Sequence, residues 1–239
     1  WGLDKGFVQN HPCARMQPPN RTRSRDRVLT DDEIRAVWAG AEQLIPAYRD
    51  FVRMLLVTGQ RREEVATMRW ADLDLTGREW IIPETKSGKQ HLVPLSALAL
   101  NIINGIDRVG KYVFSTTAGR KPISGFSKAK TMLDEASGVT DWRYHDLRRT
   151  VRTRLSALRV APMVAEQVIG HTQRGLLGVY DLHDYSDEKR EALTRWAVTG
   201  YEERDKSGEL VKKVPSLSEI LATGEADAPD NVVSMRGTV

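Results

Sequence analysis

In the stretch Glu79-Trp80-Ile81-Ile82-Pro83-Glu84-Thr85-Lys86-Ser87-Gly88-Lys89-Gln90-His91-Leu92-Val93-Pro94-Leu95, two short apolar runs flank the polar turn Lys86-Ser87-Gly88-Lys89. Runs this short, bounded by Gly and Pro, predict two strands and a small hairpin. The sequence around them has a helical period. Upstream, Thr30-Asp31-Asp32-Glu33 spells a capping box, followed by Ile34, Val37, Trp38 and Ala41 at helical spacing as far as Pro46. A second helix carries Tyr48, Phe51, Val52, Leu55 and Leu56 on one face and stops at Gly59, and a short third starts near Arg62 with Val65 and Met68. Downstream, helices are predicted over 96–107, 124–137, 145–158, 162–169, 176–184 and 187–198. The fold class is mainly α with a small antiparallel β-hairpin sheet, an α+β arrangement.

The 239 residues, 40% hydrophobic and 28% charged, suit a globular protein with a full core. The lone cysteine, Cys13, excludes an internal disulfide framework and any multi-cysteine metal site. No run approaches the ~18–20 apolar residues of a membrane span. The start Trp1-Gly2-Leu3-Asp4 has neither Met nor a signal-peptide pattern and reads as part of a longer cytoplasmic protein. Residues 1–28, with Pro12, Pro18, Pro19 and the alternating Arg21, Arg23, Arg25 and Arg27, read as the end of a preceding element and a basic linker. Residues 29–200 form the main domain, and 201–239 a tail, disordered at its end.

The net charge is +4, but from Tyr201 onward eight acids face five bases, so the basic surplus lies in residues 1–200. Arg143, Arg148, Arg149, Arg152, Arg154 and Arg159 form a second arginine cluster. Such clusters suit a polyphosphate partner, because arginine grips phosphate oxygens in bidentate fashion and displaces counterions.

Two motifs are decoys. Gly105-Ile106-Asp107-Arg108-Val109-Gly110-Lys111-Tyr112 approximates a P-loop, but Tyr112 stands where a Mg²⁺-binding hydroxyl belongs and a helix precedes it, so no nucleotide is expected. Asp31-Asp32-Glu33 looks like a metal-nuclease cluster, yet acids at a helix start follow from the macrodipole alone. Asp72 and Asp74 sit in a loop without further ligands nearby in sequence, so no metal is expected either.

Three segments carry chemistry together. Thr58-Gly59-Gln60-Arg61-Arg62-Glu63-Glu64 places an arginine where one helix ends and the next begins. Tyr144-His145-Asp146-Leu147-Arg148-Arg149 puts His145 and Arg148 on one helical face. Ile169-Gly170-His171 ends a helix nine residues before Tyr180. In this order and spacing, the segments resemble the catalytic domain of the tyrosine recombinase (phage integrase) family over roughly residues 29–200. The resemblance makes Arg61 and Arg148 the phosphate-clamping arginines and His145 and His171 the two histidine positions. It makes Lys86 the hairpin lysine, with Lys89 as alternative, and Tyr180 the nucleophile. Glu64 matches the acidic position that supports the first arginine, and Arg143, Arg149 and Lys89 are expected on DNA. Gln60 departs from the family, where the position is commonly apolar, and should alter packing more than catalysis.

The residue types fit the chemistry that the resemblance implies, a metal- and cofactor-free cleavage and rejoining of DNA. In-line attack on a phosphodiester builds charge on the non-bridging oxygens, which two guanidinium groups can neutralise. A phenol of pKa ~10 becomes a better nucleophile beside positive charge. The phosphotyrosine conserves the bond energy, so a second 5′-hydroxyl can religate the strand, and a lysine can protonate the leaving 5′-oxygen. Tyr144 and Tyr185 are the other candidates: the first should pack beside His145, and the second lies too far past Gly-His. The resemblance implies integration or excision of a mobile element in a bacterial or phage setting, in the cytoplasm at the nucleoid. It also implies double-stranded DNA and a tetramer of this chain as partners, and no membrane. Type IB topoisomerase-like relaxation and a non-catalytic DNA-binding regulator are the competing readings. Leu217, Ile220 and Leu221 are expected to anchor part of the tail on a neighbouring copy.

Overall fold

The computed structural model describes residues 2–9, 16, 25–85, 88, 90–171, 183–204 and 207–223. Helix α1 (Asp31–Gly40) starts with the expected reciprocal box. The Thr30 hydroxyl accepts the Glu33 N–H at 3.3 Å, and the Glu33 carboxylate accepts the Thr30 N–H at 2.9 Å. Its three acids pair with arginines, Asp31 with Arg154, Asp32 with Arg35 and Glu33 with Arg27, which accounts for the acidic run.

The centre of the domain is α2 (Pro46–Thr58). Proline occupies its first turn, where the missing N–H costs nothing, and Gly59 closes it with φ +65°. Phe51, Met54, Leu55 and Leu56 are fully buried. This helix packs against α4 (Ala97–Asn104) and α6 (Tyr144–Ala157), while α5 (Phe126–Ser137) lies on α1. Phe51 joins these layers, with its ring 5.4 Å from Phe126, 5.9 Å from Tyr144 and 6.1 Å from Phe114. A ring buried in this way contributes about 1.5–3 kcal/mol. Tyr144 therefore belongs to the core, its hydroxyl donating to the Phe126 carbonyl.

The predicted hairpin is present as β2 (Glu79–Ile82) and β3 (His91–Pro94), antiparallel with Trp80 opposite Val93 and Ile82 opposite His91. A third strand, β1 (Leu73–Asp74), pairs with β2. Two residues are too few to show a period. The turn after them is set by the Asp74 carboxylate, which accepts the Thr76 and Gly77 N–H groups.

Among the described residues, α3 (Arg62–Ala66), α7 (Pro162–Val168) and α8 (Ser186–Thr194) also belong to this domain, the last running into a π-helical turn over 195–199. Trp196 in that turn is fully buried and donates to the Leu56 carbonyl of α2 at 3.0 Å. The expected helix over 176–184 falls largely outside the described residues, as does the end of the tail. At the other end, Phe7 N–H bonds the Gly2 carbonyl and Gly6 N–H the Leu3 carbonyl, with Gly6 at φ +74°. These are the bonds that close a helix C-terminus.

Residues 201–222 differ from the expected tail. Tyr201–Arg204 and Leu210–Val214 pair as a hairpin, β4 and β5, and α9 (Leu217–Ala222) follows behind its own Ser216–Glu219 capping box. Leu210 to Lys213 are all exposed, so the strand lacks the alternation that would reveal it in sequence. Leu217 and Ile220 are buried on their own chain, against α1 and the π turn, and Arg35 donates to the Ile220 carbonyl at 3.2 Å. In this single chain the expected anchors seat in cis.

Gly59 sits where two demands meet. Its positive φ disfavours any side chain, and a Cβ there would lie 2.9 Å from Val151 Cγ1. Gly59→Ala is expected to lower stability by about 1–2 kcal/mol from the backbone alone, with the Val151 contact adding to it. Urea unfolding of the variant against the parent chain measures this.

Candidate active site

Arg61 is the residue just before α3, and its geometry is fixed by Glu64 one turn on. The Glu64 carboxylate accepts the Arg61 backbone N–H at 2.9 Å and the Nη1 of the same residue at 2.7 Å. Arg61 Nη2 donates to the Gly170 carbonyl at 3.3 Å. Arg148, in the second turn of α6, is only 3% exposed. Its Nη1 donates to the Gly59 carbonyl at 3.0 Å and its Nη2 to the Ile169 carbonyl. Burial first, and then the neighbouring Arg61, push its pKa down to about 10, so it remains a cation at neutral pH.

The carbonyls come from a helix ending. Gly170 N–H bonds the Gln167 carbonyl at 3.0 Å, His171 N–H bonds the Glu166 carbonyl at 2.9 Å, and Gly170 has φ +63°. This is a Schellman turn, which requires the glycine and projects the next residue out of the helix. His171 Nδ1 then meets the Glu166 carboxylate, which also accepts Arg152 Nε at 2.8 Å. Burial raises the Glu166 pKa, but the hydrogen bonds from Arg152 and His171 outweigh it and hold the carboxyl below its usual range.

His145 lies in the first turn of α6, exposed, on the face that carries Arg148. Desolvation at the cleft wall, then Arg148 and Arg149, lower its pKa, favouring the neutral imidazole. Asp146 organises the base of the same turn. It is 1% exposed and accepts the Arg143 backbone N–H, Arg149 Nη1 and Arg25 Nε. The linker arginine is thereby tied to the helix that carries His145 and Arg148.

Gln60, Arg61, Glu64, Arg143, His145 and Arg148 line a single cleft of about 1210 Å³, whose other wall includes Phe126, Lys130 and Trp142. The ammonium of Lys130 lies 4.1 Å from the Trp142 ring. The structure thus brings together Arg61, Glu64, His145 and Arg148, with His171 on the adjoining turn. Arg143 faces the cleft exposed, and Arg149 is held by Asp146. Lys86, Lys89 and Tyr180 lie outside the described residues. Of the other tyrosines, Tyr144 is buried, and burial followed by Tyr48 and Asp134 raises its pKa, a poor setting for a nucleophile. The Tyr185 hydroxyl donates to Met163 Sδ at 2.9 Å.

Residues 27–187 match the phage integrase family. The chain belongs to that family. A shufflon-specific DNA recombinase of Escherichia coli is 30% identical over 183 residues, which is 74% of this chain and 46% of that protein. The chain thus spans about half the length of that relative. Among solved structures, the integrase from mycobacterium phage Brujita superposes with a TM-score of 0.60 at 16% identity, covering 92% of this chain and 72% of that one. A lambda integrase tetramer bound to a Holliday junction superposes with a TM-score of 0.55 at 19% identity, covering 72% and 54%. At these identities the likeness establishes the fold, a mainly helical tyrosine recombinase catalytic domain with small antiparallel sheets.

Sequence reasoning missed several residues here. Gln60, expected to affect packing, uses its amide Nε2 to bond the Thr58 and Val168 carbonyls at 3.0 and 2.8 Å, and its Oε1 has no partner among the described residues. A buried acceptor left so costs about 1–3 kcal/mol. Glu166 meets His171 only because the turn at Gly170 brings the histidine back over the last turn of α7, a contact that helical spacing does not announce. His91 carried no signal either. It reads as a strand residue, yet its Nε2 donates to the Val168 carbonyl at 3.3 Å from a site only 8% exposed.

Burial, and then Lys189, push the His91 pKa down to about 4. Between an unfolded value of ~6.5 and ~4, the unfolded chain binds a proton at this residue that the native chain refuses. Stability should therefore fall by about 3 kcal/mol as pH drops through that window, with no further loss from this group below it. Urea midpoints measured from pH 7 to pH 4 should show that loss, and His91→Gln should remove this part of it.

Proposed function

We propose that this chain cleaves and rejoins double-stranded DNA at specific sites through a 3′-phosphotyrosyl intermediate, integrating or excising a mobile element. The observation that supports this reading most directly is the pair Arg61 and Arg148. Two guanidinium groups, one from the residue that caps α3 and one from α6, line one cleft, each tethered to the backbone by part of its donor set and each retaining N–H groups for an anion. In the reaction, the Tyr180 oxygen forms a bond to the scissile phosphorus as the bond to the 5′-oxygen breaks. Arg61 and Arg148 take up the charge that develops on the non-bridging oxygens. Lys86, or Lys89 in its place, delivers a proton to the departing 5′-oxygen, and His145 or His171 accepts the phenol proton or holds a phosphate oxygen. Religation reverses these steps with the 5′-hydroxyl of a partner strand, and the phosphodiester count is unchanged.

Residues 29–200 act as the catalytic domain, with the arginine-rich stretch before them as its linker. Arg143 and Arg149 engage flanking phosphates, and four copies assemble on paired DNA sites at the nucleoid. The family membership and the fold support this reading, as do the arginine clusters.

A pool of nicked duplexes with randomised cores, incubated with the protein and selected for covalent adducts, tests it for any target sequence. The chain should accumulate DNA joined to Tyr180, Tyr180→Phe should form none, and EDTA should leave the yield unchanged. Adducts that persist in Tyr180→Phe would exclude this nucleophile, and loss of the adduct in EDTA would establish a metal requirement.

A further inference from the structure

Two buried polar residues with no direct part in this chemistry converge on one backbone oxygen. Gln60 Nε2, at the junction of α2 and α3, donates to the Val168 carbonyl at 2.8 Å. His91 Nε2, on β3, lies 3.3 Å from the same oxygen. The two side chains are 1% and 8% exposed, so neither hydrogen bond is diluted by solvent. His91 stays neutral at working pH, and its Nε2–H tautomer donates to that oxygen.

What makes that carbonyl consequential is its position in the chain. The next carbonyl, of Ile169, accepts Arg148 Nη2, and the one after it, of Gly170, accepts Arg61 Nη2. Three successive carbonyls at the end of α7 are thus taken by side chains from other elements. The His91 ring also packs on the turn itself, because a Cβ on Gly170 would stand 2.9 Å from His91 Cδ2. Peptide planes are rigid and joined in series, so a shift of the Val168 carbonyl re-aims the two that follow.

We propose that Gln60 and His91 are positioning residues for strand cleavage: by sharing the Val168 carbonyl they set the carbonyls of Ile169 and Gly170, and through these the orientation in which Arg148 and Arg61 meet the scissile phosphate. This inference rests on the DNA-cleavage reading above. Both residues are nearly sealed from solvent and act through the turn that ends α7. The pair acts on how well the cations are aimed, and only a reaction that needs those cations registers its loss.

The test uses single-turnover adduct formation on a nicked duplex from the selection, prepared in two forms. One has the ordinary scissile phosphodiester. The other is a methylphosphonate, in which a methyl group replaces a non-bridging oxygen and removes the charge that the arginines neutralise. Gln60→Leu and His91→Leu should each slow cleavage of the phosphodiester by about tenfold or more, and the double variant should be little slower than the worse single one. On the methylphosphonate the same variants should lose less than ~3-fold, and His91→Gln, which restores a donor near Nε2, should stay within ~3-fold of the parent on both. Equal slowing on the two substrates would overturn the proposal by showing general loss of structure, and undiminished phosphodiester cleavage would overturn it by showing no role. Should His91→Leu fail to fold, Gln60→Leu carries the comparison alone, since leucine is smaller than glutamine and removes a buried acceptor that has no partner among the described residues. A parent chain that forms no adduct on either substrate would remove the cleavage reading itself, and this inference with it.

Discussion

A cation almost sealed from water, the Arg148 guanidinium, joins one helix to the ends of two others. It is carried by α6 and bonded to the carbonyl that closes α2 and to a carbonyl at the end of α7. Burying a charge is costly unless its donors are satisfied, and the lowered pKa of Arg148 registers that cost. The two carbonyls offset part of it, and the carboxylates of Glu64 and Glu166 favour the charged form. Much else follows from keeping this group in place. Gly59 must adopt a left-handed conformation for its carbonyl to be available, Gly170 must end α7 with a Schellman turn, and the core around Phe51 must hold α2 against α6.

The same arrangement explains why the cleft suits a phosphodiester. Arg61 is tethered by Glu64 and by the Gly170 carbonyl, so both arginines arrive with their orientation already determined and with N–H groups to spare. Preorganised donors of this kind need little rearrangement when charge develops on the substrate. Around them, Asp146 binds the side chains of Arg25 and Arg149 and the backbone N–H of Arg143 at the start of α6, and Glu166 binds Arg152 and His171. Acids at the edge of the cleft thus hold the side chains of Arg25, Arg149, Arg152 and His171 in position.

Much of this was legible in the sequence because it rests on local rules. The Thr30–Glu33 box, Pro46 and Gly59 marked the ends of α1 and α2, and the three-residue spacing of His145 and Arg148 placed them on one face. The apolar runs on either side of Lys86-Ser87-Gly88-Lys89 located the β2–β3 hairpin. What escaped reading depends on contacts between distant segments or on stretches without a period. The two residues of β1, the solvent-exposed strand β5, and the meeting of Gln60 with His91 at Val168 are of this kind. Gln60 is the clearest case: the sequence marked it as a departure in packing, whereas its amide bonds the turn that serves both arginines.

What the cleft supplies, beyond positive charge, is the orientation of a buried guanidinium. Arg148→Lys retains the charge and removes the planar fork, so its single-turnover rate of DNA cleavage is the most direct measurement. A loss of about a hundredfold or more relative to the parent chain is expected, in a variant that still unfolds cooperatively. A lysine variant that cleaves within ~3-fold of the parent would contradict this, because a point charge would then serve as well as the fixed fork.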